Sequence, residues 1–193
     1  MRESTKGKML KRIFDILFSL SALLAFLPLL AVLGLIVKFT SPGPVIFKHK
    51  RIGKSGKEFY VYKFRTMVAN AEKLGAGLTE KNDKRITPVG AVLRRFSLDE
   101  FPQFLNVLRG EMSIVGPRPE IPEIVKDYSP FQKRVLGVRP GLSGFPQING
   151  RAELTIPKKL RLDVYYVKHT GFCFDLYIIF KTIFVILSGK GAY

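Results

Sequence analysis

The sequence predicts an α+β fold in two parts. A re-entrant membrane helix-break-helix fills residues 1–40, and a compact, mostly helical domain with a small β-hairpin and interfacial amphipathic helices fills residues 41–193. Three observations predict it. Ile16–Val37 carries no charged residue and reaches the length that crosses a bilayer core, about 20 residues. Val45–Phe47 and Glu58–Met67 have strand composition and flank the glycine-rich turn Gly53–Gly56. The rest reads as short helices between proline- and glycine-rich turns.

The apolar run has features that a simple crossing does not explain. Lys6, Lys8, Lys11 and Arg12 precede it, and Lys38, Lys48, Lys50 and Arg51 follow it. Basic residues on both flanks conflict with the positive-inside rule for a single span. Pro28 falls near the middle, where it removes a backbone hydrogen bond and bends a helix. Ser19 and Ser21 are placed to satisfy the freed carbonyls. A helix that enters, bends at Pro28 and returns to the same face reconciles these features; a plain spanning helix is the alternative. Asp15 is expected to pair with Lys11 or Arg12 at the interface. A cleaved signal peptide is disfavoured, because no small-residue site follows and Lys38 ends the run.

Composition narrows the partners. The chain has 193 residues, 32 Lys and Arg against 15 Asp and Glu, and a formal net charge of +17. Such an excess favours polyanions: nucleic acid, anionic lipid or nucleoside diphosphates. Hydrophobic residues make up 47%, which tilts the choice to a membrane over nucleic acid. A single cysteine, Cys173, excludes an intrachain disulfide, and His49 and His169 have no metal-ligand spacing. A reducing compartment is expected.

Downstream, Ser41-Pro-Gly-Pro44 breaks the chain. In Glu58–Met67, Phe59, Val61 and Lys63 alternate with Tyr60, Tyr62 and Phe64. Lys73–Arg85 is polar and reads as a mobile loop. Pro88–Phe96 and about Asp99 to Arg109 read as helices, the second ended by Gly110. Gly137–Arg151 holds too many turn residues for a helix, Pro157–Lys168 is helical, and Phe172–Leu187 suits the membrane surface.

The chemistry concentrates in Arg94–Pro119, RRFSLDEFPQFLNVLRGEMSIVGPRP. Asp99 and Glu100 sit there between arginines in a chain poor in acids. One reading of Ser97-Leu98-Asp99-Glu100 is a capping box with Ser97 as N-cap. Pro102 then falls at the fifth helical position, where it clashes; a cap at Asp99 puts it in the first turn. Either way Asp99 lies at a helix N-terminus, where the dipole and Arg94 or Arg95 are expected to depress its pKa. An ionised Asp99 suits a nucleophile or a metal ligand.

Other cations have two readings each. Gly116-Pro117-Arg118-Pro119 is a rigid turn, or a device that fixes a guanidinium for phosphate. Lys63 on an aromatic strand either snorkels to water or aims at an anion. Arg139 and Arg151 bracket a glycine-rich loop that is either merely basic or a phosphate cradle. Lys48 stands where a Walker A glycine would precede Gly53-Lys54-Ser55, and no G-x-G-x-x-G occurs.

YKFRTM (Tyr62–Met67), SLDE-x-P-Q (Ser97–Gln103), NVLRGEMSIVGPRP (Asn106–Pro119), VRPGLSG (Val138–Gly144), QINGR (Gln147–Arg151) and LDVYYV (Leu162–Val167) follow one another in order. Together they resemble the monotopic phosphoglycosyl transferases, bacterial enzymes that start glycan assembly on polyprenol phosphate. The resemblance covers nearly the whole chain, from Lys11 onward. It implies transfer of a phosphosugar from a nucleotide diphosphate sugar, usually a UDP-sugar, to membrane polyprenol (undecaprenyl) phosphate, with release of UMP. It implies Asp99 as nucleophile in a covalent aspartyl-phosphosugar intermediate, Glu100 completing the dyad, and Mg2+ at Asp99. Lys63, Arg94 and Arg118 would supply positive charge, with Arg139 and Arg151 binding phosphate or nucleotide.

The resemblance also implies the re-entrant topology, with the catalytic domain on the cytoplasmic face of the bacterial inner membrane against anionic lipid. Small family members have a serine before the bending proline, where this chain has Leu27. RAELTIPKK after QINGR resembles the polysaccharide and O-antigen transferases. A small member and the catalytic part of a larger one both fit, and a homo-oligomer stays open. The rival readings are a membrane-tethered nucleic-acid binder, for which no helix-turn-helix, RRM or KH pattern exists, and a basic scaffold on lipid, which leaves Asp99 beside Glu100 unexplained.

Overall fold

The structure, a computed structural model, describes residues 5–74 and 83–188. Most of the Lys73–Arg85 loop therefore lies outside the described residues. Helix α1 (Thr5–Thr40) leads into the antiparallel hairpin β1 (Ile46–Ile52) and β2 (Glu58–Phe64). Helix α2 (Pro88–Arg95), a 3-10 helix at Leu98–Gln103 and helix α3 (Phe104–Leu108) follow. Strands β3 (Ser113–Val115) and β4 (Gly141–Ser143) pair in parallel around helix α4 (Pro122–Lys126). Helices α5 (Ile156–Lys168) and α6 (Phe172–Ser188) complete the described chain.

Strand β2 and the helices α2, α5 and α6 match their sequence readings within a few residues, whereas β1 runs on to Ile52, past the Val45–Phe47 of the sequence reading. Two expectations change. The predicted 99–109 helix is a 3-10 turn followed by only one and a half turns of α-helix, because Pro102 inside the first part removes a donor. The parallel β3–β4 pair has no counterpart in the sequence reading. Three-residue strands carry too little alternation to be seen.

Helix α1 is long and apolar enough to cross a membrane. It runs through Pro28 as one continuous helix, so the expected break is not a gap in the helix. A proline inside a helix costs one hydrogen bond and a clash without ending the helix when its other turns hold. Ser19, expected to satisfy a freed carbonyl, instead has a fully buried hydroxyl with no partner among the described residues.

Both ends of α1 are fastened to the rest of the protein. Near its start, the Arg12 guanidinium donates to the carbonyls of Val107 (2.6 Å) and Leu108 (2.9 Å), the orphan acceptors that end α3. Lys11 donates to Val115 O (3.0 Å) and pairs with the buried Asp175, whose other oxygen accepts from the Tyr166 hydroxyl at 2.7 Å. Asp15 therefore does not pair with Lys11 or Arg12. Its Oδ1 accepts from Ser113 Oγ (3.1 Å) and Ile114 N (3.0 Å). The neighbouring cations are drawn to partners that only the tertiary fold supplies.

At the other end, Arg65 directly after β2 closes the helix. Its Nη2 donates to Val37 O (3.0 Å) and its Nε to Ser41 Oγ (3.0 Å), and Nη1 reaches Pro44 O. Between these anchors α1 contributes to two apolar clusters. Ala22 and Leu23 pack on the cluster of Val107, Met112, Val115, Tyr166 and Ile178, and Leu30, Leu33 and Val37 pack with Phe64 and Leu93.

Candidate active site

The hairpin register pairs Phe47 with Lys63, His49 with Val61 and Arg51 with Phe59, so these six residues share one face. Lys63 leaves that face towards the 3-10 turn carrying Asp99 and Glu100. Asn106 fixes the approach. Fully buried, it accepts from Tyr62 N (3.1 Å) and donates to Tyr60 O (2.7 Å), so one side chain from α3 pairs with β2 as a strand would. Helix α2 is set from the same strand end. Thr87 caps it by accepting from Gly90 N at 2.9 Å, and a Cβ on Gly90 would stand 2.0 Å from Thr66 O. Only glycine allows this approach, which brings Arg94 Nε to Thr66 Oγ1 at 2.8 Å.

The capping-box reading of Ser97 fails. Ser97 adopts the left-handed conformation (φ 55°), where an N-cap needs extended backbone, and its side chain makes no cap hydrogen bond. Its hydroxyl accepts instead from Arg151 Nη2 at 2.8 Å. Asp99 and Glu100 occupy the first turn of the 3-10 helix, and Pro102 sits inside it. Glu100 Oε1 accepts from both Lys63 Nζ (2.6 Å) and Arg118 Nη2 (2.7 Å). Asp99 is buried, and among the described residues no hydrogen bond reaches its carboxylate.

The two carboxylates are pushed apart. Burial works to raise Glu100, but Arg118 and Lys63 overcome it and hold its carboxyl well below the usual range. Burial raises Asp99 above the ordinary value; Lys63 and Arg94 oppose the rise, and the Glu100 charge adds to it. The expected depression of the Asp99 pKa is thus corrected. Desolvation outweighs the helix terminus, and the nearest cations are spent on Glu100.

Of the cations singled out in the sequence, Lys63, Arg94, Arg118 and Arg151 converge on the dyad, each with a charge felt by Asp99 or Glu100. Arg139 does not. Its Nε donates to Gly110 O (2.8 Å), and it sits beside Arg12, at the carbonyl-rich end of α3. Pro28 belongs to α1 and has no part in the dyad.

Sequence reasoning missed Arg51, Asp163 and Asn106. Arg51 Nη1 donates to Pro119 O (3.3 Å) and lies 3.7 Å from Glu120, bracing the loop that presents Arg118. Burial, with Arg118 nearby, lowers it to about 10. Asp163 is buried with Oδ1 unpartnered among the described residues, and burial together with Glu120 raises its pKa well above the ordinary value. A signal existed: Leu160, Asp163 and Val164 follow helical spacing, which puts one carboxyl on an apolar stripe.

The residues present fit one kind of metal site. Among the described residues no group of three or more His, Cys, Asp and Glu could hold an ion. Mg2+ commonly takes one or two carboxylates and completes its shell with water and substrate phosphate. Asp99 and Glu100 match that mode and no all-protein cage.

The family described as bacterial sugar transferase matches residues 6–189. UDP-N-acetylgalactosamine-undecaprenyl-phosphate N-acetylgalactosaminephosphotransferase of Aeromonas hydrophila is 42% identical over 95% of this chain and 45% of its own length. Exopolysaccharide production protein ExoY of Sinorhizobium fredii is 40% identical over 97% of this chain and 89% of its own. UDP-glucose:undecaprenyl-phosphate glucose-1-phosphate transferase of Escherichia coli is 42% identical over 97% of this chain and 42% of its own. The chain thus spans less than half of two of these relatives and most of the third. With the match running almost end to end, the chain belongs to the bacterial sugar transferase family, the group of phosphoglycosyl transferases that its motifs resemble.

Proposed function

We propose that this chain transfers a phosphosugar from a UDP-sugar to polyprenol (undecaprenyl) phosphate. The observation that carries the reading is the division of labour in the dyad. Glu100 engages Lys63 and Arg118, while Asp99 stands buried beside them with no hydrogen bond among the described residues. An Asp99 oxygen attacks the β-phosphorus, the bond from the bridging oxygen to that phosphorus breaks, and UMP leaves with the electron pair. An oxygen of the lipid phosphate then attacks the same phosphorus, and Asp99 departs as carboxylate. Both steps bring anions together, so the surrounding cations lower the barrier by stabilising charge on the equatorial oxygens. Glu100 holds Lys63 and Arg118 in place for this. Mg2+, when bound, neutralises diphosphate charge.

Asp99→Asn tests the assignment. Incubation with a panel of UDP-sugars, followed by intact-protein mass spectrometry and UMP detection, is expected to show a phosphosugar adduct in the wild type and neither signal in the variant. A chelator is expected to suppress UMP release. Wild-type activity in Asp99→Asn would sink the nucleophile. The relatives carry names with different sugars, N-acetylgalactosamine and glucose among them, so the panel decides the sugar.

The re-entrant membrane disposition is supported by the two anchors of α1. A helix crossing the bilayer separates its ends by about 30 Å of hydrocarbon. Here Lys11 and Arg12 at one end and Val37 at the other bind the same polar domain. Helix α6 supports an interfacial position, since Leu176, Phe180, Ile183, Phe184 and Leu187 leave an exposed apolar stripe. On this reading the domain lies on the cytoplasmic face against anionic lipid. In a Cys173→Ser background, Lys8→Cys and Thr40→Cys are expected to label from the same side; labelling from opposite sides overturns re-entry.

A further inference from the structure

Arg118 stands on a loop that is fastened from outside. Pro117 and Pro119 have no N–H, so the loop lacks donors of its own on both sides of Arg118. Before Arg118, Gly116 N donates to Ser143 O (2.9 Å) and Pro117 O accepts from Gly141 N (2.8 Å). After it, Glu120 O accepts from Ile52 N (2.9 Å), and Pro119 O, the carbonyl next to Arg118, accepts from Arg51 Nη1 at 3.3 Å. That last bond comes from a side chain, so it holds only as well as the Arg51 guanidinium is itself held.

His49 holds it. The two residues lie two apart on β1 and point to the same face, and Arg51 Nη2 stands 3.2 Å from His49 Nδ1. A guanidinium has donors only, so Nδ1 is the acceptor and the ring carries its proton on Nε2. Burial, with Arg51 and Lys63 nearby, lowers the His49 pKa to about 4, which keeps the ring neutral and Nδ1 able to accept at neutral pH. Phe47, the next residue on that face, packs against the ring at 5.5 Å between centroids. The Arg51–Glu120 pair, at 3.7 Å, is too long for a hydrogen bond and does not set the guanidinium plane. We propose that His49 is a positioning residue for the transfer: its Nδ1 orients Arg51, which carries the Pro119 carbonyl and so places Arg118 against Glu100 and the donor diphosphate. The inference rests on the proposed function for the identity of the donor.

The test uses the full chain in phosphatidylglycerol-containing nanodiscs. UDP is the binding probe, by isothermal titration, and UMP release from a UDP-sugar reads the rate; either readout decides alone. His49→Leu removes the acceptor and keeps most of the bulk, whereas His49→Asn returns an oxygen near the Nδ1 position. His49→Leu is expected to weaken UDP and to slow UMP release by about tenfold, the cost of a misplaced Arg118. His49→Asn is expected to recover both to within about threefold of wild type. A relay through two arginines also predicts a background effect. In Arg51→Met and in Arg118→Met, each impaired from the start, His49→Leu is expected to add less than about twofold.

Wild-type behaviour in His49→Leu overturns the proposal. So does a loss that persists in full in the Arg51→Met or Arg118→Met background, which puts His49 on another route. An equal loss in His49→Leu and His49→Asn that follows their thermal stability marks the ring as packing and also overturns it. If no UDP-sugar yields UMP in the wild type, the proposed function falls, while a UDP affinity that His49→Leu lowers only when Arg51 and Arg118 are present still supports the relay. A wild type that releases no UMP and binds no UDP overturns both.

Discussion

Removing the Lys63 ammonium separates the roles of the dyad cations. In Lys63→Met the stem keeps its length and the charge goes. Lys63 Nζ stands 2.6 Å from Glu100 Oε1, and both side chains are less than one-fifth exposed. Breaking a buried pair from one side costs about 3–5 kcal/mol when the remaining charge is orphaned. Here Arg118 still donates to the same oxygen at 2.7 Å, so the loss is closer to one charged hydrogen bond, about 2 kcal/mol. For a chain of this size that lowers Tm by roughly 4–8 °C. The kinetic cost is larger, because Lys63 also opposes the charge that builds at phosphorus: UMP release is expected to slow by about 10²–10³-fold. The Asp99 pKa, relieved of its strongest opposing cation, moves further up, so the acidic limb of the rate shifts to higher pH. Differential scanning fluorimetry and a pH series of UMP release read all three. A variant within about threefold of wild type at every pH, under 1 kcal/mol of barrier, would refute the electrostatic argument.

Glu100→Gln is expected to move the acidic limb the other way. It removes a charge that raises Asp99 and frees Lys63 and Arg118 to lower it. Linkage gives a second signature. The folded pKa of Glu100 lies below its ordinary 4.5, so its contribution to stability is present above that value and is lost as pH falls through the folded one. Asp99 has the opposite sign: raised above 3.8, it withdraws stability as pH climbs from 3.8 through its folded value. Acid unfolding of Glu100→Gln is therefore expected to lose part of the wild-type pH dependence, which equilibrium denaturation at stepped pH measures. Gly90→Ala is expected to cost at least about 3 kcal/mol and to slow UMP release, since the new Cβ meets the Thr66 carbonyl and displaces the helix that aims Arg94. Urea melts and rate measurements check it.

Local signals were the legible ones. Strand alternation around Lys63, proline at the start of α2 and Gly110 after α3 depend on near neighbours, and each stands where the sequence puts it. The grouping of Lys63, Arg94 and Arg118 around the dyad is implied by the family resemblance, whereas Arg151 reads in the sequence only as part of a basic loop. What stayed hidden depends on distant partners. Ser97 looks like a cap until Arg151, fifty-four residues on, takes its hydroxyl. Asp15 looks paired with its helical neighbours until Ser113 and Ile114 arrive. Arg139 looks like a phosphate ligand until the Gly110 carbonyl claims it. The upward shift of Asp99 comes from burial, which short-range spacing does not report.

Arg65 carries a consequence of its own. One guanidinium grips the last turn of α1, and the residues on either side of it belong to the dyad's surroundings: Lys63 two positions before, Thr66 one after. The final turn of α1 and strand β2 are therefore joined through one side chain. On the proposed membrane disposition, a bilayer that tilts α1 would act on the separation between Lys63 and Glu100 through that link. Lipid would then bear on catalytic geometry in its own right, and two preparations of the same chain in bilayers of different thickness are expected to differ in turnover number.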